Sequence, residues 1–244
     1  MDIEVASKQD VISDFWINVS KNIFTTDDKY NLTTFVEGKF KHAAEISFIR
    51  DIKVITPDAT LLDLACGNGR LCEAFASSVQ WVTGTDLCQD FVTYLNDWKE
   101  NTSQKNVDFF KLDLLEPDYS VYFKREYSLI FLFGVSQCIV DDESLMKILK
   151  NINKILGIGG KLLLKQTTSI MPDDIFVDHF SKELNQRWIA NYRTQRTIEK
   201  LARVAGLKIL SATPVYSEEN LGEHYKNVER WDNTRQIVFQ IGRV

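Results

Sequence analysis

The 244-residue chain is predicted to fold as an α/β protein, with a mostly parallel sheet that carries helices on both faces. Three observations lead to this prediction. Short apolar segments alternate with amphipathic helical segments from about residue 58 to the C-terminus, as βαβ units require. One of these segments, YSLIFLFGV, is apolar throughout, which is typical of a strand buried on both faces. Glycines follow the first strand and the two clearest helices, where turns are expected.

Residues 1–56 precede this alternation and are predicted to form an N-terminal helical cap. Two stretches, 8–24 and 33–52, have helical character, and Pro57 then breaks the pattern. In the second stretch the following residues recur at roughly helical spacing: Phe35, Phe40, Ala44 and Phe48. We therefore expect a cover at 1–56 and an α/β domain at 57–244.

Within the α/β domain the strands and helices follow one another in order. Predicted strands occupy residues 60–65, 81–86, 106–113, 127–135, 160–169, 207–216 and 235–244. Predicted helices follow at 69–78, 88–100, 141–156 and 194–205. Asp141 or Asp142 can cap the third helix, whose apolar stripe ends at Leu156 before a run of glycines. A polar stretch at 170–192 is interpreted as an insertion.

Composition limits the classes of partner. The net charge of -5 gives no overall positive field for nucleic acid or an anionic membrane. The longest apolar stretch is shorter than the roughly 20 residues that span a bilayer, and the N-terminus does not resemble a secretory signal. The four cysteines, Cys66, Cys72, Cys88 and Cys138, form no metal-binding pattern. We therefore expect a cytoplasmic protein with reduced thiols and no metal.

Three acids end successive predicted strands: Asp63, Asp86 and Asp113. Ligands of open parallel sheets bind at the carboxyl ends of the strands, where a glycine turn such as ACGNGR lets the backbone approach closely. Asp86 lies about 20 residues after that turn, the spacing of an acid that binds ribose hydroxyls. A turn without a ligand, and a helix-capping role for Asp86, remain alternatives. A nicotinamide-binding turn would need a third glycine, where this chain has Cys72.

These residues resemble the class I S-adenosylmethionine-dependent methyltransferases. LLDLACGNGR is similar to the first motif of that family, with Ala65 in place of the first glycine, and GTDLC and KLDLLE resemble the second and third motifs. Residues 127–164 resemble the fourth strand, the helix after it and the fifth strand. The resemblance implies a doubly wound, seven-stranded sheet whose last strand is antiparallel. It also implies S-adenosyl-L-methionine as cofactor and S-adenosyl-L-homocysteine as product.

The resemblance assigns expected roles to the residues that match. Asp63 and the backbone of the glycine turn would face the methionine part of the cofactor. Asp86 would hold the ribose, Asp113 and Leu114 would flank the adenine, and Phe133 would lie near the methionyl group. The complete expected cofactor set is Asp63, Ala65, Cys66, Gly67, Asn68, Gly69, Asp86, Leu87, Asp113, Leu114, Phe133 and Gly134.

The methyl acceptor is expected to be an oxygen or nitrogen of a small molecule or saccharide, bound by a monomer or homodimer. FLFGVSQC lacks the Pro-Pro-aromatic sequence that holds a planar amino nitrogen. Methylation of RNA or protein, and a non-catalytic scaffold, remain alternatives. No catalytic residue is identified, and the weak candidates are His179, His42 and Tyr192. A basic cluster forms either an anion site or a solvated helix face: Arg187, Arg193, Arg196 and Arg203.

Overall fold

The computed structural model describes residues 3–23, 38–181, 186–216 and 233–244. The helices in these ranges are α1 (Ile3–Ile23), α2 (Gly38–Asp51), α3 (Arg70–Phe75), α4 (Gln89–Thr102), α5 (Asp142–Ile155) and α6 (Gln195–Val204). The strands are β1 (Thr60–Leu64), β2 (Trp81–Asp86), β3 (Val107–Lys111), β4 (Tyr127–Phe133), β5 (Leu156–Ser169), β6 (Ile175–Ser181), β7 (Gln186–Tyr192), β8 (Leu207–Pro214) and β9 (Thr234–Arg243).

Seven of these strands form one sheet in the order β3-β2-β1-β4-β5-β9-β8. The first five pair in parallel, and β9 runs antiparallel to both β5 and β8. The predicted seven-stranded sheet with an antiparallel last strand is therefore confirmed. The chain winds outward in opposite directions from β1 and from β4. A crevice for ligands is expected beyond the carboxyl ends of these two strands.

The central strands are buried on both faces, because successive residues point in opposite directions. On one face Leu62, Ile130 and Leu162 pack with α5 and α6. On the other face Leu61 and Phe131 pack with α3 and α4. This double burial explains why YSLIFLFGV has no polar alternation.

Helix α5 begins where the sequence indicates, because the Asp141 carboxylate accepts a hydrogen bond of 2.8 Å from the Ser144 amide. Its end differs from the prediction. Leu156 is the first residue of β5 and not the last of the helix. The glycines after it form an irregular start of β5, with Gly159 at a φ of 74°, and regular pairing with β4 resumes at Lys161.

Helix α1 and the insertion pack together over the carboxyl ends of the strands. Strands β6 and β7 pair antiparallel, and we call this pair the hairpin; the polar composition of the insertion did not indicate it. The Phe15 ring of α1 contacts the Trp188 ring of the hairpin edge to face at 5.7 Å. Phe35, part of the predicted stripe, lies outside the described residues. In the described part of the chain, no helix has the length and apolarity needed to span a membrane.

Candidate functional site

A cleft of about 820 Å³, open mouth included, lies between the strand ends and α1. Eight of the expected cofactor residues line it: Ala65, Gly67, Asp86, Leu87, Asp113, Leu114, Phe133 and Gly134. Helix α1 contributes Gln9, Ile12, Ser13 and Trp16 from the opposite side. Residues 135–139, which directly follow β4, add Val135, Cys138 and Ile139. The cleft thus occupies the switch point of the sheet.

The glycine turn uses backbone conformations that favour glycine. Gly67 and Gly69 have φ values of 57° and 75°, and Ala65 has a φ of 55° although it carries a Cβ atom. A Cβ at Gly69 would lie 2.2 Å from the Leu95 side chain of α4, so α4 packs directly on the turn. The positive φ of Ala65 explains why the first motif of the resembling family has a glycine at this position.

The Asp86 carboxylate joins the ends of β1 and β2. It accepts hydrogen bonds from the amides of Gly67 at 2.8 Å and Cys88 at 2.9 Å. Burial raises the pKa of Asp86, and these two bonds act against the rise. The acid thus stabilises the glycine turn and the start of α4 while it also borders the cleft. Both the ligand-binding and the helix-capping interpretations agree with this position.

Asp113 and Leu114 form the end of the cleft beyond β3. The Asp113 carboxylate accepts from the Leu115 amide at 2.9 Å. The buried Tyr119 hydroxyl donates to the Leu114 carbonyl at 2.7 Å and fixes this loop.

Gly134, after β4, has a φ of 75°, and a Cβ there would have no atom within 4 Å. Its amide donates to the Lys165 carbonyl at 2.8 Å, so the open space beside it is part of a fixed wall.

Four expected cofactor residues do not line the cleft: Asp63, Cys66, Asn68 and Gly69. Asp63 lies in the core, where its carboxylate accepts from the Cys72 thiol at 3.5 Å. Burial raises the pKa of Asp63 to about 7, and the nearby charge of Arg70 lowers it only in part. Asp63 therefore contacts α3, the helix that follows the glycine turn, through Cys72.

The three catalytic candidates also lie away from the cleft lining. His42, on α2, accepts from the Arg70 guanidinium at 3.2 Å if its Nδ1 is unprotonated. His179 lies on an exposed part of β6 opposite Trp188, and the buried Tyr192 hydroxyl accepts from the Trp188 indole at 3.1 Å.

Two buried ionic clusters were not recognised in the sequence. The Glu45 cluster consists of Glu45 on α2 with Arg70, Lys165 and Tyr216. Arg70 lies 2.5 Å from the Glu45 carboxylate, Lys165 also donates to it, and the Tyr216 hydroxyl donates at 2.9 Å. The cluster joins the N-terminal cover to the residue that ends the glycine turn. No sequence signal marked Glu45, because an acid on a helix usually faces solvent.

The Arg193 cluster corrects the interpretation of the basic residues. Arg193 is completely buried and pairs with Asp142. Arg187 instead forms a surface pair with Asp178, at 2.7 and 2.9 Å, while Arg196 and Arg203 are exposed on α6. The four arginines therefore form neither one anion site nor one solvated face.

Comparison with known proteins finds a similar domain over part of the chain. Residues 61–160, from β1 into β5, match a family model described as a methyltransferase domain. These residues are therefore similar to a methyltransferase domain. The matched range includes the glycine turn, Asp86 and Asp113, on which the resemblance to the S-adenosylmethionine-dependent methyltransferases rests.

Individual relatives are distant. Chavicol O-methyltransferase of Ocimum basilicum is 27% identical over 177 residues, covering 70% of this chain and 46% of the relative, so the chain spans less than half of that protein. The solved DhpI-SAM-HEP complex has a TM-score of 0.66 at 13% identity, with both chains covered completely. The [4+2]-cyclase SpnF has a TM-score of 0.62 at 16% identity, covering 82% of this chain and 80% of that one. These structural likenesses show the fold alone.

Proposed function

We propose that the chain transfers a methyl group from S-adenosyl-L-methionine to an oxygen or nitrogen of a small molecule. One observation carries this proposal. Asp86 ends β2, Asp113 follows the end of the adjacent parallel strand β3, and both border the same cleft beside Gly67 of the glycine turn. Matching of residues 61–160 to a methyltransferase domain supports the same activity.

The cleft residues suit this cofactor. The Asp86 carboxylate keeps lone pairs beyond those used by its two amide donors, and these can accept from ribose hydroxyls. Leu87 and Leu114 present apolar side chains for the adenine ring, and Asp113 can accept from its amino group. Gly67 and Gly134 leave room for the methionyl part. A nicotinamide dinucleotide is disfavoured by Cys72, which stands where its binding turn needs a third glycine.

The sulfonium of the bound cofactor supplies an activated methyl group. The protein then has to hold the acceptor in line with that methyl group, and orientation of this kind supplies about 7–11 kcal/mol of a barrier. Helix α1 and residues 135–139 form the remaining walls and can exclude water from the reacting atoms. We infer that residues 1–56 and 170–192 act as the cover of the domain at 57–244.

The acceptor half of the cleft favours a small molecule over RNA or protein. Ile12, Trp16, Cys138 and Ile139 form an apolar wall there. Helix α1 crosses above the strand ends and restricts access by a large substrate. The name of the plant relative, an O-methyltransferase, supports an oxygen acceptor, and a saccharide also fits a wall that contains an indole ring.

Calorimetric titration with S-adenosyl-L-methionine tests the cofactor. We expect saturable binding of this cofactor by the wild type and no binding of reduced nicotinamide dinucleotide. Asp86→Asn should bind the cofactor about 10–100-fold more weakly, because a hydrogen bond to a charged group contributes roughly 1.5–3 kcal/mol. Asp118→Asn is the matched control, since Asp118 lies away from the cleft lining and binds the surface residues Ser120 and Lys154. Equal affinities of Asp86→Asn and the wild type would contradict the proposal.

A labelled methyl donor tests the transfer. The protein is incubated with the labelled cofactor and separated lysate fractions, and we expect label in the small-molecule fraction. Label found only in RNA or protein would contradict the proposed acceptor class. Cofactor binding without transfer to any fraction would contradict the enzymatic activity and indicate a scaffold.

A further inference from the structure

Arg193 is a fully buried cation at the point where the hairpin rejoins the domain, directly after β7. A buried charge costs several kcal/mol unless it is paired and hydrogen-bonded. Its backbone is fixed as well, because its carbonyl accepts from the Ser169 amide at 3.1 Å. The backbone of Arg193 is therefore anchored to the end of β5.

The Arg193 guanidinium binds three acceptors on the other side. Its Nε donates to the Asp142 carboxylate at 2.8 Å, one Nη to the Ser136 carbonyl at 3.1 Å, and the other Nη to the Ile139 carbonyl at 2.8 Å. These acceptors bracket residues 136–139. A planar group with fixed donor directions can hold such a segment, whereas a lysine ammonium on a flexible stem cannot reproduce the three directions.

The segment that Arg193 holds is a wall of the cleft. Cys138 lies between the two carbonyls, and Ile139 carries the second of them. Both residues line the cleft, and Cys138 packs with Ile12 and Trp16 of α1. A second brace comes from β5, where Gln166 accepts from the Ser136 hydroxyl at 2.8 Å. The nucleoside end of the cleft, at Asp86 and Asp113, has no part in these bonds.

We propose that Arg193 is a positioning residue that sets the acceptor-side wall of the cleft by holding residues 136–139 in place. This inference rests on the proposed function, because the wall matters for transfer only if an acceptor binds there. Arg193 touches neither half of the cleft directly, and it acts through the backbone that carries Cys138 and Ile139. It also couples the hairpin to this wall, so a shift of the hairpin would move the acceptor site.

The rate at which a thiol reagent labels Cys138 reports the position of this segment. In the wild type Cys138 is buried, and burial raises the pKa of its thiol to about 12, so labelling is slow. Arg193→Met removes the donors and keeps an apolar chain of similar length. We expect Cys138 to be labelled at least about tenfold faster in this variant, because labelling of a buried group follows local opening. Cys66 and Cys72, buried at the glycine turn, should stay at the wild-type rate.

Two further variants separate positioning from general destabilisation. Arg193→Lys should give an intermediate labelling rate at Cys138. Leu207→Ala truncates a buried side chain at the start of the edge strand β8, three strands away from β4 in the sheet order, and destabilises the fold. Each variant is labelled at the same number of degrees below its own melting temperature. Under these conditions the control should not increase the labelling rate of Cys138 relative to those of Cys66 and Cys72. If Arg193→Met fails to fold, Asp142→Asn removes the half-exposed ionic partner and should show the same preference for Cys138.

Ligand measurements complete the test. For Arg193→Met we expect the affinity for S-adenosyl-L-homocysteine to change less than about threefold, while methyl transfer to the fraction that the wild type labels falls at least about tenfold. The proposal would be overturned if the thiol reagent labelled all four cysteines faster by the same factor, or if the labelling rate of Cys138 stayed unchanged. Equal losses in affinity for S-adenosyl-L-homocysteine and in methyl transfer would overturn it as well. If the wild type binds no cofactor, the proposed function fails, and the labelling pattern still decides whether Arg193 holds the wall.

Discussion

The Glu45 cluster and the Arg193 cluster both join a cover element to the strand ends, but opposite charges occupy their centres. Glu45 is an anion surrounded by two cations and a hydroxyl from three distant segments. Arg193 is a cation whose partners are two neutral carbonyls and the half-exposed Asp142. Loss of the central charge therefore has different consequences. It would leave two cations without their counter-ion in the first cluster. In the second it would mainly remove the donor of the Ile139 carbonyl, because the Ser136 carbonyl also accepts from the Ile139 amide at 3.3 Å.

The largest effect is expected for Glu45→Gln. Removing one partner of a buried ionic group costs about 3–5 kcal/mol, and Arg70 and Lys165 would both lose their counter-ion. Arg193→Met should lower the free energy of unfolding by about 2 kcal/mol, because a buried acceptor without a donor costs roughly 1–3 kcal/mol. The half-exposed Asp142 carboxylate adds little to this loss, because it can turn to solvent. Urea denaturation at pH 7 measures both free energies of unfolding. Glu143→Gln, which breaks the exposed pair with Lys147, is the control and should change stability by less than about 0.5 kcal/mol.

The Glu45 cluster also predicts an acid transition. Burial alone would raise the pKa of Glu45, but the charges of Arg70 and Lys165 lower it to about 2. Since this folded pKa is below the ordinary value of 4.5, the stabilisation is present above pH 4.5 and is lost as the pH falls toward 2. The wild type should lose stability more steeply than Glu45→Gln in this range. If Arg193→Met lowered the free energy of unfolding at pH 7 as much as Glu45→Gln or more, the sign of the central charge would not determine which cluster stabilises the fold more.

Neither cluster could be predicted, although much of the fold could. The strands and helices between residues 58 and 244 follow from local apolar patterns, and Asp86 and Asp113 follow from their places at strand ends. Glu45 meets Lys165 and Tyr216 across 120 and 171 residues, and no local pattern encodes such contacts. The hairpin was missed for a related reason. Polar residues alternate with its aromatic ones, and its stability depends on α1, through Phe15 and Trp188.

An intermediate effect is expected for Asp63→Asn, and it depends on pH. The charge of Arg70 acts on Asp63 as well as on Glu45, yet burial keeps the pKa of Asp63 near 7. A folded pKa above the ordinary 3.8 means that the stability contributed by the neutral form is lost as the pH rises through 7. Asp63→Asn should therefore gain stability relative to the wild type between pH 5 and pH 8, on the order of 2 kcal/mol. If the free energies of unfolding of the two proteins changed with pH in the same way, Asp63 would be ionised throughout this range, held in that state by the same charge of Arg70 that acts on Glu45.

The smallest effect is expected for Ala65→Gly, at the turn that Arg70 ends. Ala65 has a φ of 55°, and a left-handed conformation costs a residue with a Cβ atom roughly 1–2 kcal/mol. Glycine relieves that strain but adds about 0.4–1 kcal/mol of entropy to the unfolded chain. The net gain should be below about 1 kcal/mol in urea denaturation, with cofactor affinity unchanged. Ser103→Gly, at a φ of 53° after α4 and away from the cleft, is the matched control. A gain at Ser103 together with a loss at Ala65 would mean that the methyl group of Ala65 contributes packing next to the cleft, which outweighs its backbone strain.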